Sequence, residues 1–146
     1  MNQTDAAITW GHVWPVRVYY EDTDAGGVVY YANYLRFLER ARTEWLRALG
    51  LGQAQIAAET GLLFVVRRVT VDYLLPGRLD DLLEIRSRIT EMRRTSMAFA
   101  QEVIRVADGV ADAVTLVRAE TLVVCMDGGT ARPRAIPPEM ARHFHG

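Results

Sequence analysis

The chain has 146 residues, of which 50% are apolar, and its 17 basic and 18 acidic side chains give a net charge of −1. This length and composition predict a single globular domain with its own core, and they exclude a disordered chain. A charge this close to zero gives no general attraction to nucleic acid or to an anionic membrane, so we expect no nucleic-acid partner.

Neither a targeting segment nor a membrane-spanning segment is predicted. The N-terminal stretch MNQTDAAITWGHV lacks the basic and apolar regions of a signal peptide. No uninterrupted apolar run exceeds five residues, whereas a spanning helix needs roughly 20. Cys125 is the only cysteine, which excludes an internal disulfide and a cysteine metal cluster. We therefore expect a cytoplasmic protein.

A first strand and a long helix are predicted in the N-terminal third. Residues 14–20, WPVRVYY, are rich in β-branched and aromatic side chains and predict a strand. After an acidic, glycine-rich turn, residues 31–49 predict an amphipathic helix that ends before Gly50. Its apolar stripe follows the helical period at Tyr34, Phe37, Leu38, Ala41 and Trp45.

The rest of the chain is mainly strand-like. Residues 53–60 predict a short helix that ends at Gly61, and residues 62–75 a strand with Val65, Val69, Val71 and Tyr73 on one face. Further strands are predicted over 82–90, 96–107 and 113–126, with Asp108-Gly109 as a hairpin turn between the last two. A short helix is expected after Pro137.

These elements predict an α+β fold in which one helix packs on one face of an antiparallel sheet. We expect a single domain over residues 1–146, with residues 1–13 as an N-terminal extension and 133–146 as a C-terminal tail. One helix cannot cover both sheet faces, so an uncovered face or edge is expected to receive a second subunit.

The stretch VYYEDTDAGGVVYYANY, residues 18–34, is the candidate site. A calcium loop is excluded because Asn33 stands where a bidentate Glu belongs. A phosphate loop lacks its glycine and lysine pattern. Zinc and Ser/His/Asp chemistry lack ligands or a base, since the three histidines, His12, His143 and His145, lie near the termini.

Two interpretations of this loop stay open from the residues alone. Asp and Gly favour turns, so the segment can be a plain turn. The strand, acidic turn and helix start can also place a carboxylate beside free N–H groups at a helix N-terminus. Such N–H groups polarise a carbonyl, and a neighbouring carboxylate can attack that carbonyl or deprotonate water.

The segment YYEDTDAGGVVYYANYLRFLERARTEWLR resembles the 4-hydroxybenzoyl-CoA thioesterase family of the hotdog fold. More narrowly, it resembles the acyl-CoA thioesterases associated with the Tol-Pal system, the YbgC type. The similarity continues through FVVRRVTVDYLLPGRLDDLLEI, EMRRTS, LVVC and RPRAIP. It implies a long helix wrapped by an antiparallel sheet and active sites at the interface of a homodimer, which can pair again into a homotetramer.

The resemblance also implies chemistry and site residues. Acyl-CoA is the implied substrate, with no separate cofactor, and acyl carrier protein is a possible partner. Asp24 matches the catalytic aspartate, as nucleophile or general base, and the Tyr31 backbone N–H polarises the thioester carbonyl. Many relatives have His where this chain has Tyr31, so a role for that side chain is not implied. Gly26 and Gly27 let the chain turn around the thioester, while Asp22 shapes the turn.

Coenzyme A phosphates require cations. The expected ligands are Arg93, Arg94 and Ser96, with Arg67 and Arg68 as weaker candidates, only one of which should face a cleft because strand neighbours alternate. Val65, Val66 and Tyr73 are candidates for the acyl channel. Glu39 and Arg42 match a helix motif that we interpret as a structural i,i+3 pair, and Cys125 as an inert core residue.

Two rival functions are weighed. A hotdog hydratase or dehydratase would need a histidine five residues after the aspartate, where this chain has Val29. A non-catalytic scaffold that binds acyl carrier protein or assists envelope assembly is disfavoured by Asp24, Gly26 and Gly27. The acyl chain stays open, because pocket depth depends on residues from two subunits.

Overall fold

A computed structural model describes residues 8–107 and 110–144. Its strands are β1 (His12–Arg17), β2 (Leu62–Tyr73), β3 (Leu82–Met92), β4 (Ser96–Ala107) and β5 (Val110–Asp127); its helices are α1 (Asn33–Ala48), α2 (Gln53–Thr60) and α3 (Pro138–Phe144). Every predicted helix and strand is present. The expected turn at Asp108-Gly109 and the expected tail residue His145 lie outside the described residues.

The strands form one antiparallel sheet in the order β1-β3-β4-β5-β2. β2 therefore lies at one edge beside β5, not beside β3, its successor in the chain. β1 forms the other edge and begins at His12, inside the predicted N-terminal extension. The architecture agrees with the α+β hotdog expectation.

The first strand ends at Arg17, three residues earlier than predicted. The chain then makes a short 3-10 turn over Tyr20–Asp22. The physical reason is the Asp22 carboxylate, which accepts the Tyr19 backbone N–H at 2.9 Å and so folds the chain back on itself.

The predicted apolar stripe of α1 is its buried face, as expected. Along the first half of the helix, Tyr34, Phe37, Leu38 and Ala41 are buried with β3, β4 and β5 residues. In the second half, Trp45 packs into a cluster that also includes residues of β2, β4, β5 and α3. Two core clusters therefore hold the helix over the sheet, one beneath each half of its length.

A β-bulge in β2 corrects the predicted alternation of this strand. Val66 pairs with Val123, but Arg68 pairs with Leu122, so Arg67 is the extra residue. Because a bulge shifts the side-chain alternation by one position, Val65 faces away from α1 whereas Val69 faces toward it. The prediction that the two share a face was wrong, since a bulge leaves no periodic trace.

The C-terminal helix caps the core as predicted. Met140 of α3 is buried, whereas His143 is exposed. Over residues 8–107 and 110–144, no helix has the length and apolar character that a membrane crossing requires.

Candidate active site

The acidic loop after β1 is a small hairpin. The Tyr30 N–H donates to the Asp22 carbonyl at 2.9 Å and the Asp24 N–H donates to the Val28 carbonyl at 2.9 Å, with Thr23 bridged to Val29 between them. This ladder places Asp24 at the hairpin tip, and the chain continues directly into α1.

The Asp24 carboxylate is exposed and only partly engaged. Its Oδ1 accepts the Gly26 N–H at 2.8 Å, which is an Asx-type turn. Within residues 8–107 and 110–144, no basic side chain forms an ion pair with it. One carboxylate oxygen thus stays available for a substrate or a water molecule.

Asp22 has a different environment from Asp24. It is 7% exposed, and its two oxygens accept the Tyr19 N–H at 2.9 Å and the Asn33 side-chain amide at 2.6 Å. Asn33 is the first residue of α1 and is itself buried. The Asp22–Asn33 pair therefore fixes the hairpin to the helix start, which matches the turn-shaping role expected of Asp22.

The two glycines of the loop differ in what they allow. Gly27 has φ +79°, which side chains rarely adopt. Gly26 has no such constraint, but a Cβ there would lie 3.2 Å from the Asp24 Oδ1. Gly27 is needed for the turn, and Gly26 leaves room for the carboxylate.

The start of α1 leaves backbone donors free. Ala32 is the N-cap and supplies no side-chain oxygen. The N–H groups of Asn33 and Tyr34 donate to the Tyr30 and Tyr31 carbonyls. The Tyr31 and Ala32 N–H groups have no acceptor among the described residues, so they can polarise a carbonyl placed before the helix.

A cleft of about 260 Å³ adjoins this helix start, lined by Val29, Tyr31, Tyr34, Tyr73, Leu74, Leu75 and Pro76. The Tyr73 hydroxyl donates to the Tyr31 carbonyl at 3.3 Å. Burial raises the pKa of both Tyr34 and Tyr73, so both phenols are neutral at neutral pH. The cleft is therefore aromatic and uncharged.

The connection between β2 and β3 holds two residues that line this cleft, Tyr34 and Val29, through hydrogen bonds. The Gly77 N–H donates to the Tyr34 hydroxyl at 2.9 Å, and its carbonyl accepts the Val29 N–H at 2.8 Å. A Cβ on Gly77 would lie 3.1 Å from that hydroxyl. The sequence did not identify Asn33, Tyr34 and Gly77 as site residues. Tyr34 was predicted only as part of the buried stripe of α1, and the Pro76-Gly77 pair indicated only the end of a strand.

A second, cationic cleft of about 460 Å³ lies on the sheet face away from α1 and is lined by Arg67, Arg68, Glu91, Arg93, Arg94, Thr95, Ser96, Leu122, Val124 and Pro133. The structure thus brings the predicted phosphate ligands together. The prediction that only one of Arg67 and Arg68 could face a cleft was wrong, because the bulge turns both toward it. Glu91 pairs with Arg93 at 3.0 Å, which partly offsets the positive charge.

The two clefts lie at opposite ends of the sheet. The Asp24 hairpin is bridged to the β2–β3 connection through Val28 and Arg78, near the start of β3. Arg93 and Arg94 follow the end of β3, about 33 Å of strand away at 3.3 Å per residue. Within one chain, the predicted catalytic and phosphate-binding residues are not neighbours.

The register also separates the predicted channel residues. Val66 pairs with the buried Val123 and faces α1, whereas Val65 pairs with Val124 on the face of the cationic cleft. Tyr73 lines the tyrosine cleft. Val66 and Tyr73 thus lie on the helix side, and Val65 does not.

The remaining residues that the sequence singled out, Glu39, Arg42 and Cys125, make contacts that stabilise the fold. Glu39 and Arg42 do not pair with each other: Thr43 donates to Glu39, and Arg42 donates to Gln101 at 2.9 Å. Cys125 is fully buried, and burial raises its thiol pKa. No cluster of His, Cys, Asp or Glu suited to a metal ion occurs in the described ranges.

Comparisons with known proteins agree with this arrangement. A model of the thioesterase-like superfamily matches residues 18–144. The chain is 52% identical over 131 residues to the acyl-CoA thioester hydrolase YbgC of Escherichia coli O6:H1, covering 90% of this chain and 93% of the relative. It is 44% identical over 135 residues to the acyl-CoA thioesterase YbgC of Haemophilus influenzae, covering 92% and 95%.

Among solved structures, a 4-hydroxybenzoyl-CoA thioesterase complexed with 4-hydroxybenzoyl CoA superposes with a TM-score of 0.82 at 26% identity, covering 90% of this chain and 96% of that chain. The hotdog fold expected from the resemblance is thereby confirmed. By its sequence and its fold, the chain belongs to the thioesterase-like superfamily and, within it, to the YbgC acyl-CoA thioesterases.

Proposed function

We propose that the chain hydrolyses acyl-CoA thioesters to a free acid and coenzyme A, with Asp24 as the reacting carboxylate. The observation that carries this proposal is the free Asp24 oxygen at the tip of a hairpin that leads into the unpaired Tyr31 N–H. That combination supplies a nucleophile or base together with a carbonyl-polarising donor. Membership of the YbgC group supports acyl-CoA as the substrate.

Two routes are compatible with this site. In the first, an Asp24 oxygen attacks the thioester carbonyl, the C–S bond breaks, coenzyme A leaves as a thiolate, and water then hydrolyses the mixed anhydride. In the second, Asp24 takes a proton from water while the water oxygen attacks the carbonyl directly, and the C–S bond then breaks so that coenzyme A leaves as a thiolate and regains a proton. In both, the oxygen that gains negative charge accepts the Tyr31 N–H. Release of free thiol from a panel of acyl-CoAs tests the activity.

We place the phosphates of coenzyme A in the cationic cleft, with Arg93, Arg94 and Ser96 as ligands and Arg67 and Arg68 as additional cations. Because this cleft and Asp24 lie at opposite ends of one chain's sheet, a second subunit is needed to bring a cationic cleft close to each Asp24. A homodimer joined at the exposed β2 edge satisfies this requirement. Pairing into a homotetramer, acyl carrier protein as an acyl donor, a cytoplasmic location and a link to the Tol-Pal system are further parts of the proposal.

Replacing Arg93 and Arg94 together with Ala is expected to raise KM for an acyl-CoA at least about tenfold, because a charge-assisted hydrogen bond contributes about 1.5–3 kcal/mol. The value of kcat should stay within about threefold, since the reacting atoms are elsewhere. Steady-state kinetics at two salt concentrations checks this, and the wild-type KM should depend more strongly on salt.

Arg118→Ala is the matched control, since Arg118 lies on the same sheet face but outside the cleft and pairs with Glu102. It should leave KM unchanged. If KM rose equally for both variants, the cationic cleft would not be the phosphate-binding site.

The two loop glycines should respond differently to Ala. In Gly27→Ala the left-handed backbone is expected to cost about 1–2 kcal/mol of unfolding free energy, measured by urea denaturation. In Gly26→Ala the new methyl group displaces the Asp24 carboxylate, so kcat should fall several-fold with little loss of stability. If Gly26→Ala kept full activity, the carboxylate position seen here would be irrelevant to turnover.

A further inference from the structure

A short segment between β5 and α3 continues the sheet beside the cationic cleft. Strand β5 runs beyond the start of its neighbour β4, and residues 132–136, the β5–α3 segment, take the place of β4 there. The Asp127 N–H donates to the Arg132 carbonyl at 2.8 Å, and the Arg134 N–H donates to the Cys125 carbonyl at 3.0 Å. The segment is therefore fixed to β5 by backbone hydrogen bonds.

The same segment holds the turn between β3 and β4, residues 93–95, which carries the proposed phosphate ligands. The Ile136 N–H donates to the Arg94 carbonyl at 2.8 Å. From β5, the Cys125 N–H donates to the Thr95 carbonyl at 2.8 Å. Two successive carbonyls of this turn are thus fixed by donors that lie about 30 to 40 residues further along the chain.

The far end of the β5–α3 segment is anchored in the core. Ile136 is 6% exposed and Met140 of α3 is 1% exposed, and both belong to the cluster that contains Trp45. Pro133, inside the segment, lines the cationic cleft. The segment therefore connects the hydrophobic core to the wall of the proposed phosphate site.

Asp127 fixes the near end of the segment. Its Oδ2 accepts the Gly129 N–H at 3.0 Å and the Thr130 N–H at 2.8 Å. Its Oδ1 accepts the Arg134 guanidinium at 3.0 Å, and Arg134 also donates to the Thr60 carbonyl at the end of α2, at 2.9 Å. These hydrogen bonds, led by that of Thr130, hold the pKa of Asp127 below its ordinary value, so the carboxylate is charged at neutral pH.

An ordered turn matters for binding because of where its cations stand. Arg93 and Arg94 are both exposed on a turn of three residues. Both guanidinium groups can bind phosphate together only when the turn has one conformation, and a turn that orders during binding weakens the affinity. A turn that is already held in place avoids this loss.

We propose that Asp127 and Arg134 are positioning residues for coenzyme A. They hold the β5–α3 segment, and the segment holds the turn at residues 93–95 in the conformation that binds the phosphates. Both residues lie outside the lining of the cationic cleft, so they act through the turn. This inference rests on the proposed phosphate site and adds the residues that order it.

Asp127→Ala tests the inference through the sign of its effect on KM. We expect KM for an acyl-CoA to rise at least about fivefold, the result of the ordered turn falling to about a fifth of the population. A direct electrostatic effect has the opposite sign, because the loss of a negative charge strengthens the attraction of phosphate. The value of kcat should stay within about threefold of wild type, since the reacting atoms lie at the other end of the sheet.

Glu91→Ala is the matched control for charge. Glu91 lies on β3, lines the cleft and pairs with Arg93, so this variant also removes one carboxylate but leaves the β5–α3 segment intact. It should not raise KM. Arg134→Ala should raise KM as Asp127→Ala does, and Arg134→Lys should restore most of the wild-type KM, because an ammonium group can still pair with Asp127.

A substrate without phosphates separates positioning from a general loss of structure. The pantetheine thioester of the same acyl group lacks the nucleotide of coenzyme A, so wild type and Asp127→Ala should hydrolyse it with the same kcat/KM. Hydrogen exchange gives a readout that does not depend on turnover. The Ile136 amide should exchange faster in Asp127→Ala, and free coenzyme A should slow its exchange in wild type, because coupling between ordering and binding is reciprocal.

The opposing outcomes are distinguishable. If replacing Arg93 and Arg94 leaves KM unchanged, the phosphate site lies elsewhere and this inference fails with it. If that double variant raises KM but Asp127→Ala does not, the phosphate site stands and the segment has no positioning role. An equal loss on acyl-CoA and on the pantetheine thioester would mean a purely structural role for Asp127.

A failure of the proposed function leaves the inference testable. If wild type hydrolyses no acyl-CoA, calorimetry of free coenzyme A with wild type and with Asp127→Ala still decides. A Kd at least about fivefold higher in the variant would support the positioning role, and an equal Kd would overturn it.

Discussion

Replacing Asp24 with Asn is expected to lower kcat for acyl-CoA hydrolysis by at least about a hundredfold, within the range of about 10²–10⁴ that a positioned acid or base contributes. The amide is neither a useful nucleophile nor a base. Its oxygen can still accept the Gly26 N–H, so the hairpin tip should keep its shape. KM should change little, because the proposed phosphate ligands Arg93 and Arg94 line the other cleft. Thiol release under saturating substrate measures the effect.

Two controls make this result specific. Thermal unfolding of Asp24→Asn should match wild type, since the carboxylate is exposed and makes one hydrogen bond among the described residues. Glu21→Gln, which removes an exposed carboxylate from the same loop, should keep full activity. Comparable activity in Asp24→Asn and wild type would place the chemistry on another residue.

Wild-type protein can test the nucleophilic route directly. If Asp24 is the nucleophile and water attacks the aspartyl side of the mixed anhydride, turnover in ¹⁸O-labelled water incorporates label into the Asp24 side chain, detectable in its proteolytic peptide by mass spectrometry. If Asp24 is a general base, or if water attacks the acyl side of the anhydride, all label appears in the acid product, so only label in Asp24 is decisive and it identifies the nucleophile. Wild type without substrate is the blank.

Much of the fold was predictable because it depends on local pattern. The α1 stripe needed only the helical period, and Gly61, with φ +75°, is the expected end of α2. The acidic loop was narrowed to two interpretations by its residues, and the resemblance then selected Asp24 and Tyr31. The residues of the proposed reaction site are continuous in sequence, which is why the sequence alone could nominate them.

Features that depend on long-range pairing could not be predicted. The bulge at Arg67 arises from how β2 pairs with β5, and nothing in residues 62–75 marks it. It brings Arg67 and Arg68 to one cleft and places Val65 and Val69 on opposite faces of the sheet. The position of β2 at the sheet edge depends equally on pairing partners that are far away in the chain.

The Asp22–Asn33 contact is a second case of this kind, and it leads to the largest expected loss of stability. Asp22→Ala removes the acceptor for the Asn33 amide, which is buried, and for the Tyr19 N–H, which is partly buried. An unsatisfied buried polar group costs about 1–3 kcal/mol, so the unfolding free energy should fall by about 2–4 kcal/mol. Urea denaturation measures it. Because Asp22 also fixes the hairpin to the helix start, kcat should fall at least about tenfold in the fraction that stays folded.

An exchange of the two side chains tests whether the contact itself is responsible. In the double variant Asp22→Asn/Asn33→Asp, the new Asn can accept the Tyr19 N–H and donate to the new carboxylate. Asn33→Ala alone should be destabilised, because it leaves the Asp22 carboxylate without one of its two donors. The exchange should regain most of the stability and kcat that Asn33→Ala loses, since the hydrogen bond between helix and hairpin is restored with its polarity reversed. A double variant as unstable as Asn33→Ala would mean that the contact is incidental and that other packing holds the Asp24 hairpin against the helix start.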